Sequence, residues 1–363
     1  MKSLDIGALR RMIADARAGV AHDSASDLVR RTLAQHGLMA EGGELPAQSP
    51  LSAMSGMLNR QVRPSPAPEP LVLGASFRTE RFNCEAGARD YLTYVPSSAS
   101  KGATALIVML HGCTQTNADF AAGTGMNALA ERHGFIVVYP QQSRGDNAQS
   151  CWNWFSPGDQ RRDRGEPAIL AGIATHVATA HGIPASDTFV AGLSAGAAMA
   201  VILGQSYPDV FAAVGTHAGL AHGSARDLPS AVAAMAGNPA ADPYRPAKRR
   251  PTPTIIFQGS ADNTVNPANA DRIARDVLSA GPEVTLFDTA TGQQNGRSFV
   301  RETTTTGDGT VLLEYWKIEG LGHAWSGGNP AGSYVDPAGP DASTEMVRFF
   351  LRLGQEPGAA SGG

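Results

Sequence analysis

Cysteine is scarce in this chain of 363 residues, which contains Cys84, Cys113 and Cys151 and no others. Cysteines that ligate a metal usually recur in closely spaced pairs, and these three do not. An odd number permits one disulfide and one free thiol. The sequence therefore predicts no metal site, and nothing in it calls for an organic cofactor.

Charge is also sparse, because charged residues make up 17% of the chain and the net charge is −4. Binding of nucleic acid needs a basic stripe or patch. The short basic run Lys248-Arg249-Arg250 is bracketed by Pro246 and Pro251, which is typical of a solvated loop. We therefore predict no nucleic-acid partner.

No apolar run approaches the roughly 20 residues that cross a bilayer. A secretory signal peptide is not visible either, because Arg10, Asp15 and Arg17 interrupt the segment from Met1 to Gly37. We therefore expect no membrane span. The chain either stays inside the cell, leaves it by another route, or has a different true start.

Composition divides the chain into four predicted regions. Residues 1–39 form a helical segment, read as a helix from Leu4 to Leu38 that breaks near Ala18-Gly19. Residues 40–70 are rich in Pro, Ala and Ser and are predicted to be a linker or extended arm. Residues 71–355 form one large folded domain, and residues 356–363 a flexible tail.

Strands alternate with helices throughout residues 71–355. The predicted strands are 91–95, 105–110, 135–139, 188–192, 211–215, 254–258 and 311–318, and the predicted helices are 120–133, 166–181, 195–206, 267–279 and 344–353. Several strands are continuous apolar runs, as in a sheet buried on both faces. This order predicts an α/β fold with a mostly parallel central sheet and helices on both faces.

The segment Gly192-Leu193-Ser194-Ala195-Gly196 lies between a predicted strand and a predicted helix. A serine on so sharp a turn takes strained backbone angles, and its neighbours two before and two after must be small. The turn lifts the hydroxyl above the sheet edge at a helix N-terminus. The alternative is a Gly/Ser turn that caps a helix. We interpret Ser194 as a nucleophile.

A serine nucleophile needs a base and a carboxylate that orients the base. In the α/β-hydrolase arrangement both follow the serine, the carboxylate first. Asp262 comes directly after the buried strand 254–258, in a loop of small residues. Its rivals are Asp242 and Asp271, which lack a preceding strand, and Asp288, which lacks a comparable loop. We predict Asp262.

Three histidines follow Ser194: His217, His222 and His323. His323 comes directly after the strand 311–318, and glycines at 320 and 322 let its loop fold back over the nucleophile. His217 and His222 follow another predicted strand and are read as polar loop residues near the pocket. The chain order predicts His323 as the base.

Acyl transfer builds negative charge on the former carbonyl oxygen, and two backbone N–H groups usually stabilise it. One is expected from Ala195 and the other from Cys113, in the loop after strand 105–110. We expect His111 to lie beside the substrate and to brace this loop by hydrogen bonding, without acting as a second base. The alternative is an ordinary strand-ending turn.

Five segments together resemble the polyhydroxybutyrate depolymerase family of esterases, which has feruloyl and acetylxylan esterase relatives. They are His111-Gly-Cys-Thr-Gln-Thr, Cys151-Trp-Asn-Trp-Phe, Gly192-Leu-Ser-Ala-Gly, Ala218-Gly219-Leu220 and Gly322-His-Ala-Trp-Ser-Gly-Gly. The resemblance implies the α/β-hydrolase fold, the triad Ser194–Asp262–His323 and the Cys113/Ala195 oxyanion hole. Ala197 departs from the family, where a second glycine usually follows Gly196.

Aromatic residues accompany the predicted site, and Trp152, Trp154 and Trp325 are expected to wall the pocket for the acyl or alcohol group. The alternative is that they pack in the core. A disulfide between Cys113 and Cys151 is hypothesised, because both flank proposed site loops. Such a bond suits an oxidising compartment.

The resemblance implies an extracellular serine esterase, with the cytoplasm as the alternative location. A short-chain polyester such as polyhydroxybutyrate, or its oligomers, is the first expected substrate. Feruloyl or acetyl esters of plant cell walls are the second. A non-catalytic polymer-binding protein of the same fold is the alternative from another class. The sequence does not indicate an oligomeric state.

Overall fold

A computed structural model describes residues 71–239, 251–281 and 284–353, with the side chains of 284 and 285 left out. The predicted helical segment 1–39, the linker 40–70, the tail 356–363, the basic run at 248–250 and Asp242 lie outside the described residues. Within the described ranges, no helix is long and apolar enough to cross a membrane.

The strands are β1 Ser76–Cys84, β2 Gly87–Val95, β3 Leu106–Leu110, β4 Ile136–Pro140, β5 Thr188–Leu193, β6 Ala213–His217, β7 Thr254–Gly259, β8 Val284–Gln294, β9 Arg297–Thr306, β10 Val311–Ile318, β11 Trp325–Ser326 and β12 Val335–Asp336. The helices are α1 Asn117–Thr124, α2 Met126–His133, α3 Gly165–Ala180, α4 Ala195–Ser206, α5 Leu228–Met235, α6 Ala268–Ala280 and α7 Ala342–Leu353. Short 3₁₀ turns add to these.

One ten-stranded sheet organises the domain, in the order β1-β2-β4-β3-β5-β6-β7-β10-β9-β8. The six central strands run parallel to one another; in sheet order they are β4, β3, β5, β6, β7 and β10. The flanking pairs at both edges are antiparallel. The prediction of a mostly parallel sheet is confirmed, and the antiparallel strands at its edges extend it.

Apolar side chains cover both faces of this sheet, as the continuous apolar strands require. On one face, α3, α4 and α6 pack residues such as Ile169, Met199 and Ile273 against the strands. On the other face, α1, α2 and α7 pack residues such as Phe120, Met126 and Phe350 against the strands. The rigid centre therefore fixes where the strand ends, and the loops that follow them, are placed.

Two local differences from the predictions have clear causes. The predicted helix 120–133 is two helices, because Gly125 adopts φ 63° and ends α1 with a left-handed residue. The predicted strand 211–215 begins and ends two residues later, as β6. The pairs β1–β2 and β8–β9 also contain strands that the apolar pattern does not reveal, because much of β1 and β8 is exposed.

Candidate active site

The three residues predicted for the chemistry all follow strands at the carboxyl edge of the parallel sheet. Ser194 follows β5, Asp262 lies just after β7, and His323 lies in the loop after β10. In open α/β sheets this is the edge at which ligands bind.

Ser194 occupies a strained turn between β5 and α4. Its backbone angles are φ 56° and ψ −117°, in a region that L-residues rarely adopt. The turn is held because the Ser194 N–H donates to the His217 carbonyl oxygen at 2.9 Å, extending the β5–β6 pairing by one bond. Backbone strain of this kind is characteristic of a nucleophile elbow.

The glycines two residues before and after Ser194 are required sterically. A Cβ on Gly196 would lie 2.1 Å from the Leu110 carbonyl oxygen, and one on Gly192 would lie 2.5 Å from the Gly196 carbonyl carbon. Both neighbours are backbone atoms that cannot swing aside. The close approach brings the end of β3, where the predicted oxyanion loop begins, directly against the first turn of α4.

Asp262 and His323 form a hydrogen-bonded pair. His323 Nδ1 lies 2.8 Å from Asp262 Oδ2, and the side chains are 7% and 0% exposed. Asp262 Oδ1 accepts the backbone N–H groups of Thr264 and Val265, each at 2.9 Å.

The carboxylate of this pair stays ionised. Burial raises the pKa of Asp262, but the charge of His323 and the hydrogen bonds from His323 and the two backbone amides outweigh burial and lower it. An ionised carboxylate at Nδ1 stabilises the tautomer with its proton on that nitrogen. Nε2 is then left as the basic atom of the ring.

The loops that carry Asp262 and His323 are tied to each other by backbone contacts. The Ala261 N–H donates to the Leu321 carbonyl oxygen at 3.0 Å, and the Ser260 N–H donates to Ile318 at 2.9 Å. A Cβ on Gly259 would lie 2.1 Å from the Leu321 oxygen. The glycine therefore permits the approach that sets the two side chains within hydrogen-bonding distance.

The predicted oxyanion loop is braced from several sides. The Gly112 N–H donates to Gln115 Oε1 at 2.9 Å, and the Thr114 N–H donates to the Gln149 carbonyl oxygen at 2.7 Å. Thr114 itself has φ 65°. As the first residue of α4, Ala195 has an N–H without an intrahelical partner, which leaves it available to an anion.

Cys113 and Cys151 are joined by a disulfide, with an S–S distance of 2.05 Å, and Cys84 is a free, exposed thiol. The bond links the predicted oxyanion loop to the aromatic segment 151–155. Beside it, Trp152 Nε1 donates to the His111 carbonyl oxygen at 3.0 Å. The aromatic segment thus supports the loop through one covalent and one hydrogen bond.

His111 is fully buried, which does not favour the expected contact with substrate, and that contact stays a prediction. Both ring nitrogens are engaged: Nδ1 lies 2.8 Å from the Gly112 carbonyl oxygen, and Nε2 accepts the Gln142 N–H at 3.1 Å. Burial lowers the pKa of His111 to about 4, against smaller opposing effects of the Gly112 hydrogen bond and Asp119. The other half of the expectation is that His111 braces the loop by hydrogen bonding, and its two contacts are of that kind.

Trp152 and Trp325 are 0% and 1% exposed, which favours the alternative that they pack in the core, and their role as walls of a substrate pocket stays a prediction. Trp325 lies in β11, where its Nε1 donates to Ser343 Oγ at 3.1 Å and its ring stacks on His217. Trp154 is 6% exposed and packs edge-on against Phe155. Its contact with substrate stays a prediction.

The other two histidines have structural partners. His217 is the last residue of β6 rather than a loop residue, and it is fully buried, with Nε2 accepting the Ser326 N–H at 3.1 Å. Burial, assisted by the charge of His323, lowers the pKa of His217 to about 3 against the opposing charge of Asp262. His222 Nε2 lies 2.8 Å from the Gln160 carbonyl oxygen.

Two of the rival aspartates lie away from this group. Asp271 is on α6 and accepts the Tyr315 hydroxyl at 3.1 Å. Asp288 is exposed on the edge strand β8. Glu166 is among the buried carboxylates that the sequence does not single out, because it belongs to no motif and only tertiary contacts reveal its neighbours.

The sheet covered on both faces, with a strained serine turn at its carboxyl edge, places the protein among the α/β-hydrolases. The chain belongs to the family whose model is described as Esterase PHB depolymerase, which matches residues 89–302. It is a serine esterase, a hydrolase of carboxylic esters.

Two curated relatives and one solved structure illustrate the family. The chain is 34% identical over 301 residues to poly(3-hydroxyalkanoate) depolymerase C of Paucimonas lemoignei, covering 76% of this chain and 70% of that protein. It is 27% identical over 258 residues to feruloyl esterase B of Neurospora crassa, covering 64% and 82%. The acetyl xylan esterase from Aspergillus awamori shares the fold, with a TM-score of 0.56 at 21% identity over 76% of this chain and 98% of that one.

Proposed function

We propose that Ser194 is the nucleophile of this esterase, His323 its general base, and Asp262 the carboxylate that orients the base. The observation that carries the proposal is the 2.8 Å contact between His323 Nδ1 and Asp262 Oδ2, at the sheet edge where Ser194 sits on its strained turn. The N–H groups of Cys113 and Ala195 serve as the oxyanion hole.

The reaction has two steps. His323 Nε2 takes the hydroxyl proton as Ser194 Oγ attacks the ester carbonyl, and Asp262 stabilises the imidazolium that forms. His323 then gives the proton to the leaving alcohol as the C–O bond breaks, which leaves an acyl-enzyme. Water, deprotonated by the same histidine, attacks the acyl-enzyme and releases the acid and Ser194. In both steps the two N–H groups stabilise the oxyanion.

The test is Ser194→Ala, assayed on p-nitrophenyl butyrate, with folding checked by circular dichroism. Hydrolysis is expected to fall to background while the fold is retained. Ser224→Ala is a matched control, because Ser224 is a buried serine outside this group, and its activity should stay near that of the wild type. Near-normal turnover in Ser194→Ala would overturn the assignment.

The alternative of a non-catalytic protein is tested by a fluorophosphonate probe, which reacts with an activated serine. Labelling that disappears in Ser194→Ala supports the proposed nucleophile. A wild-type protein that does not label would favour the non-catalytic alternative.

As substrate we propose a short-chain polyester such as polyhydroxybutyrate, or its oligomers. The support is the family itself and the 34% identity to a protein named poly(3-hydroxyalkanoate) depolymerase. Release of hydroxybutyrate monomers and dimers from oligomers, followed by chromatography, is the test. The polyester proposal fails if p-nitrophenyl butyrate is cleaved and the oligomers are not.

A second substrate class is favoured by the relatives named feruloyl esterase B and acetylxylan esterase. These names suggest feruloyl or acetyl groups esterified to plant cell-wall sugars. Methyl ferulate and acetylated xylan are the discriminating substrates, to be compared with hydroxybutyrate oligomers by kcat/KM on the same enzyme preparation.

For location we propose an oxidising, extracellular environment. The Cys113–Cys151 disulfide supports this, because such bonds persist outside the reducing cytoplasm. Rapid acid quenching of cultures, followed by thiol alkylation and mass analysis of each cell fraction, tests it. Protein found only in the cytoplasm with both thiols alkylated would contradict the proposal.

For residues 1–70 we propose an arm that adsorbs to polymer. The support is compositional: helical spacing of leucines, then a Pro-rich stretch. Binding to polymer granules is compared for the full chain and a chain that starts at Leu71, with p-nitrophenyl butyrate activity as the control for folding. Equal granule binding by the two chains would overturn this role.

A further inference from the structure

Glu166, in the first turn of α3, is a buried carboxylate on which several donors converge. Its side chain is 4% exposed. The backbone N–H and the side-chain amide of Asn153 donate to its two oxygens, each at 2.8 Å. Gln142 Nε2 donates to Oε1, and Arg89 Nη2 lies 3.4 Å from the same oxygen. Because each of these partners is a donor, the arrangement suits an ionised carboxylate that only accepts.

One arm of this network runs through Gln142 to the ring of His111. The Gln142 backbone N–H donates to His111 Nε2 at 3.1 Å, and its side-chain amide also donates to the Cys151 carbonyl oxygen at 2.9 Å. Glu166 thereby fixes Gln142, two residues after the end of β4, and Gln142 fixes the imidazole at the start of the oxyanion loop.

The other arm runs through Asn153 to the backbone of the same histidine. Asn153 follows Trp152, whose indole N–H donates to the His111 carbonyl oxygen at 3.0 Å. Cys151, one residue further back, is bonded to Cys113. The ring and the carbonyl group of His111 are therefore both held by segments anchored at one carboxylate.

We propose that Glu166 is a positioning residue for the oxyanion loop, holding the Cys113 N–H in place through Gln142 and Asn153. The inference rests on the proposed function, which assigns that N–H to the oxyanion hole. Glu166 does not touch the reacting atoms, and its effect on the reaction passes entirely through the loop.

The expected effect is on the rate rather than on substrate binding. Oxyanion donors act where charge develops in the transition state, so a displaced donor lowers kcat and leaves KM nearly unchanged. Glu166→Gln keeps the size of the side chain but turns an NH₂ group toward partners that are themselves donors. The oxyanion loop then loses hydrogen bonds that support it through Gln142 and Asn153, and the substitution leaves no cavity.

Glu314→Gln is the matched control. Glu314 on β10 is also 4% exposed, accepts Trp316 Nε1 at 2.8 Å and pairs with Arg348. Like Glu166, Glu314 is buried, pairs with a guanidinium group and accepts a neutral N–H donor. The contacts of Glu314 do not reach the oxyanion loop. The two variants separate a general loss of stability from a specific loss of catalysis.

The experiment measures kcat, KM and melting temperature for wild type, Glu166→Gln and Glu314→Gln with p-nitrophenyl butyrate. It is run at about pH 8, above the pKa of about 7 to which burial raises Glu166. Glu166→Gln is expected to lower kcat by about 10–100-fold with KM within about three-fold of the wild type. Glu314→Gln is expected to keep kcat within about two-fold, whatever its melting temperature.

Inhibition by phenylboronic acid supplies an independent readout, because its tetrahedral serine adduct places a boronate oxygen in the oxyanion hole. The inhibition constant should rise in Glu166→Gln by about the factor by which kcat falls. If Glu166→Gln does not fold, Asn153→Ser is the milder variant. It removes the amide donor but keeps the backbone N–H, and a smaller fall in kcat at constant KM is expected.

Three results would overturn the inference. The first is a wild-type kcat in Glu166→Gln, or in Asn153→Ser if Glu166→Gln does not fold. The second is an equal fall of kcat in Glu314→Gln, and the third is a change confined to KM. Turnover retained by Ser194→Ala would overturn the proposed function and this inference with it. An inactive Ser194→Ala beside an unchanged Glu166→Gln overturns the inference alone.

Discussion

Asp262 Oδ2 and His323 Nδ1 lie 2.8 Å apart although 61 residues separate them in the chain. The contact follows from the register of two neighbouring parallel strands. Ile318 at the end of β10 pairs with Gly259 at the end of β7, so the two loops leave the sheet side by side. The orientation of the imidazole is therefore built into the rigid centre of the fold.

Asp262→Asn is expected to keep the fold and to lower kcat by about 10³–10⁴-fold. An amide can donate to Nδ1 and so favours the tautomer with the proton on Nε2, which cannot accept the serine proton. The measurement is kcat for p-nitrophenyl butyrate, with circular dichroism to verify folding.

Asp271→Asn is the control for this change. Asp271 is also an aspartate after Ser194, but it lies on α6 and its carboxylate accepts a tyrosine hydroxyl. Its kcat should stay within about two-fold of the wild type. If the two variants lost activity equally, Asp262 would have no special role in orienting the base.

The centre of this fold could be predicted from the sequence because burial on both faces leaves a strong pattern. The segment 106–110 is apolar throughout, and β10 was predicted with the bounds that the structure has. The β8–β9 hairpin was not predicted, because β8 is largely exposed, β9 is mostly half-buried, and both strands are rich in threonine. Its turn carries Asn295-Gly296, with φ 47° and 84°, and this dipeptide is a signal that could have revealed it.

The surroundings of the site were harder to predict than the residues proposed for the chemistry. The positions of Ser194, Asp262 and His323 follow from strand ends and chain order. Whether an aromatic ring faces a pocket or the core depends on contacts between distant segments. The Trp325 ring, for instance, is buried between His217 and Phe120, and no local pattern encodes that.

Replacing both disulfide cysteines by alanine is expected to destabilise the protein by about 2–4 kcal/mol, because the bond closes a loop with a sequence separation of 38. The activity should also fall, since the Cys113 loop loses its covalent tie to Cys151. Urea denaturation and kcat for p-nitrophenyl butyrate measure the two effects.

Cys84→Ala is the control for the disulfide, because Cys84 is an exposed free thiol. It should change the free energy of unfolding by no more than about 0.5 kcal/mol. Intact-mass analysis after alkylation, with and without reductant, checks the bond itself. Alkylation of both Cys113 and Cys151 in the native, unreduced protein would contradict the pairing.

Stability should depend on pH through three buried groups. Burial lowers the pKa of His111 to about 4 and that of His217 to about 3 from a usual 6.5, so between about pH 4.5 and 6.5 the unfolded chain binds more protons at both. Burial raises the pKa of Glu166 to about 7 from 4.5, so there the folded state binds the extra proton. Two protons bound by the unfolded chain and one bound by the folded state leave a net excess of one proton on the unfolded chain. These three groups therefore make the free energy of unfolding rise by about 1.4 kcal/mol for each unit of increasing pH in this range.

Two variants test this linkage against the slope of the wild type. His217→Gln retains an acceptor for the Ser326 N–H and removes one titrating histidine, so its slope should be lower by about 1.4 kcal/mol per pH unit. Glu166→Gln removes the opposing group, so its slope should be steeper by the same amount. Urea titrations at several pH values between about 4.5 and 6.5 give the slopes. Parallel lines for all three proteins would mean that these groups are not titrating as their burial requires.

Gly196→Ala should damage both the fold and the site. The added methyl group would lie 2.1 Å from the Leu110 carbonyl oxygen and 2.6 Å from that of His111, so either α4 or the oxyanion loop must move. Forced overpacking of this kind costs about 1–3 kcal/mol. Displacing the loop from Ser194 by about 1 Å is expected to lower kcat by about 10²-fold. The melting temperature and kcat for p-nitrophenyl butyrate report the two losses.

Gly322→Ala is the informative comparison, because Gly322 also adjoins a proposed catalytic residue, His323. A Cβ there meets nothing within 4 Å, and the backbone is not in the left-handed region. Removing the flexibility of one glycine without a clash should leave stability unchanged or raise it by up to about 1 kcal/mol, with kcat near that of the wild type. If Gly322→Ala were as damaging as Gly196→Ala, the loop of His323 would have to move during catalysis. If Gly196→Ala were harmless, the contact between β3 and α4 could not be what fixes the oxyanion loop against Ser194.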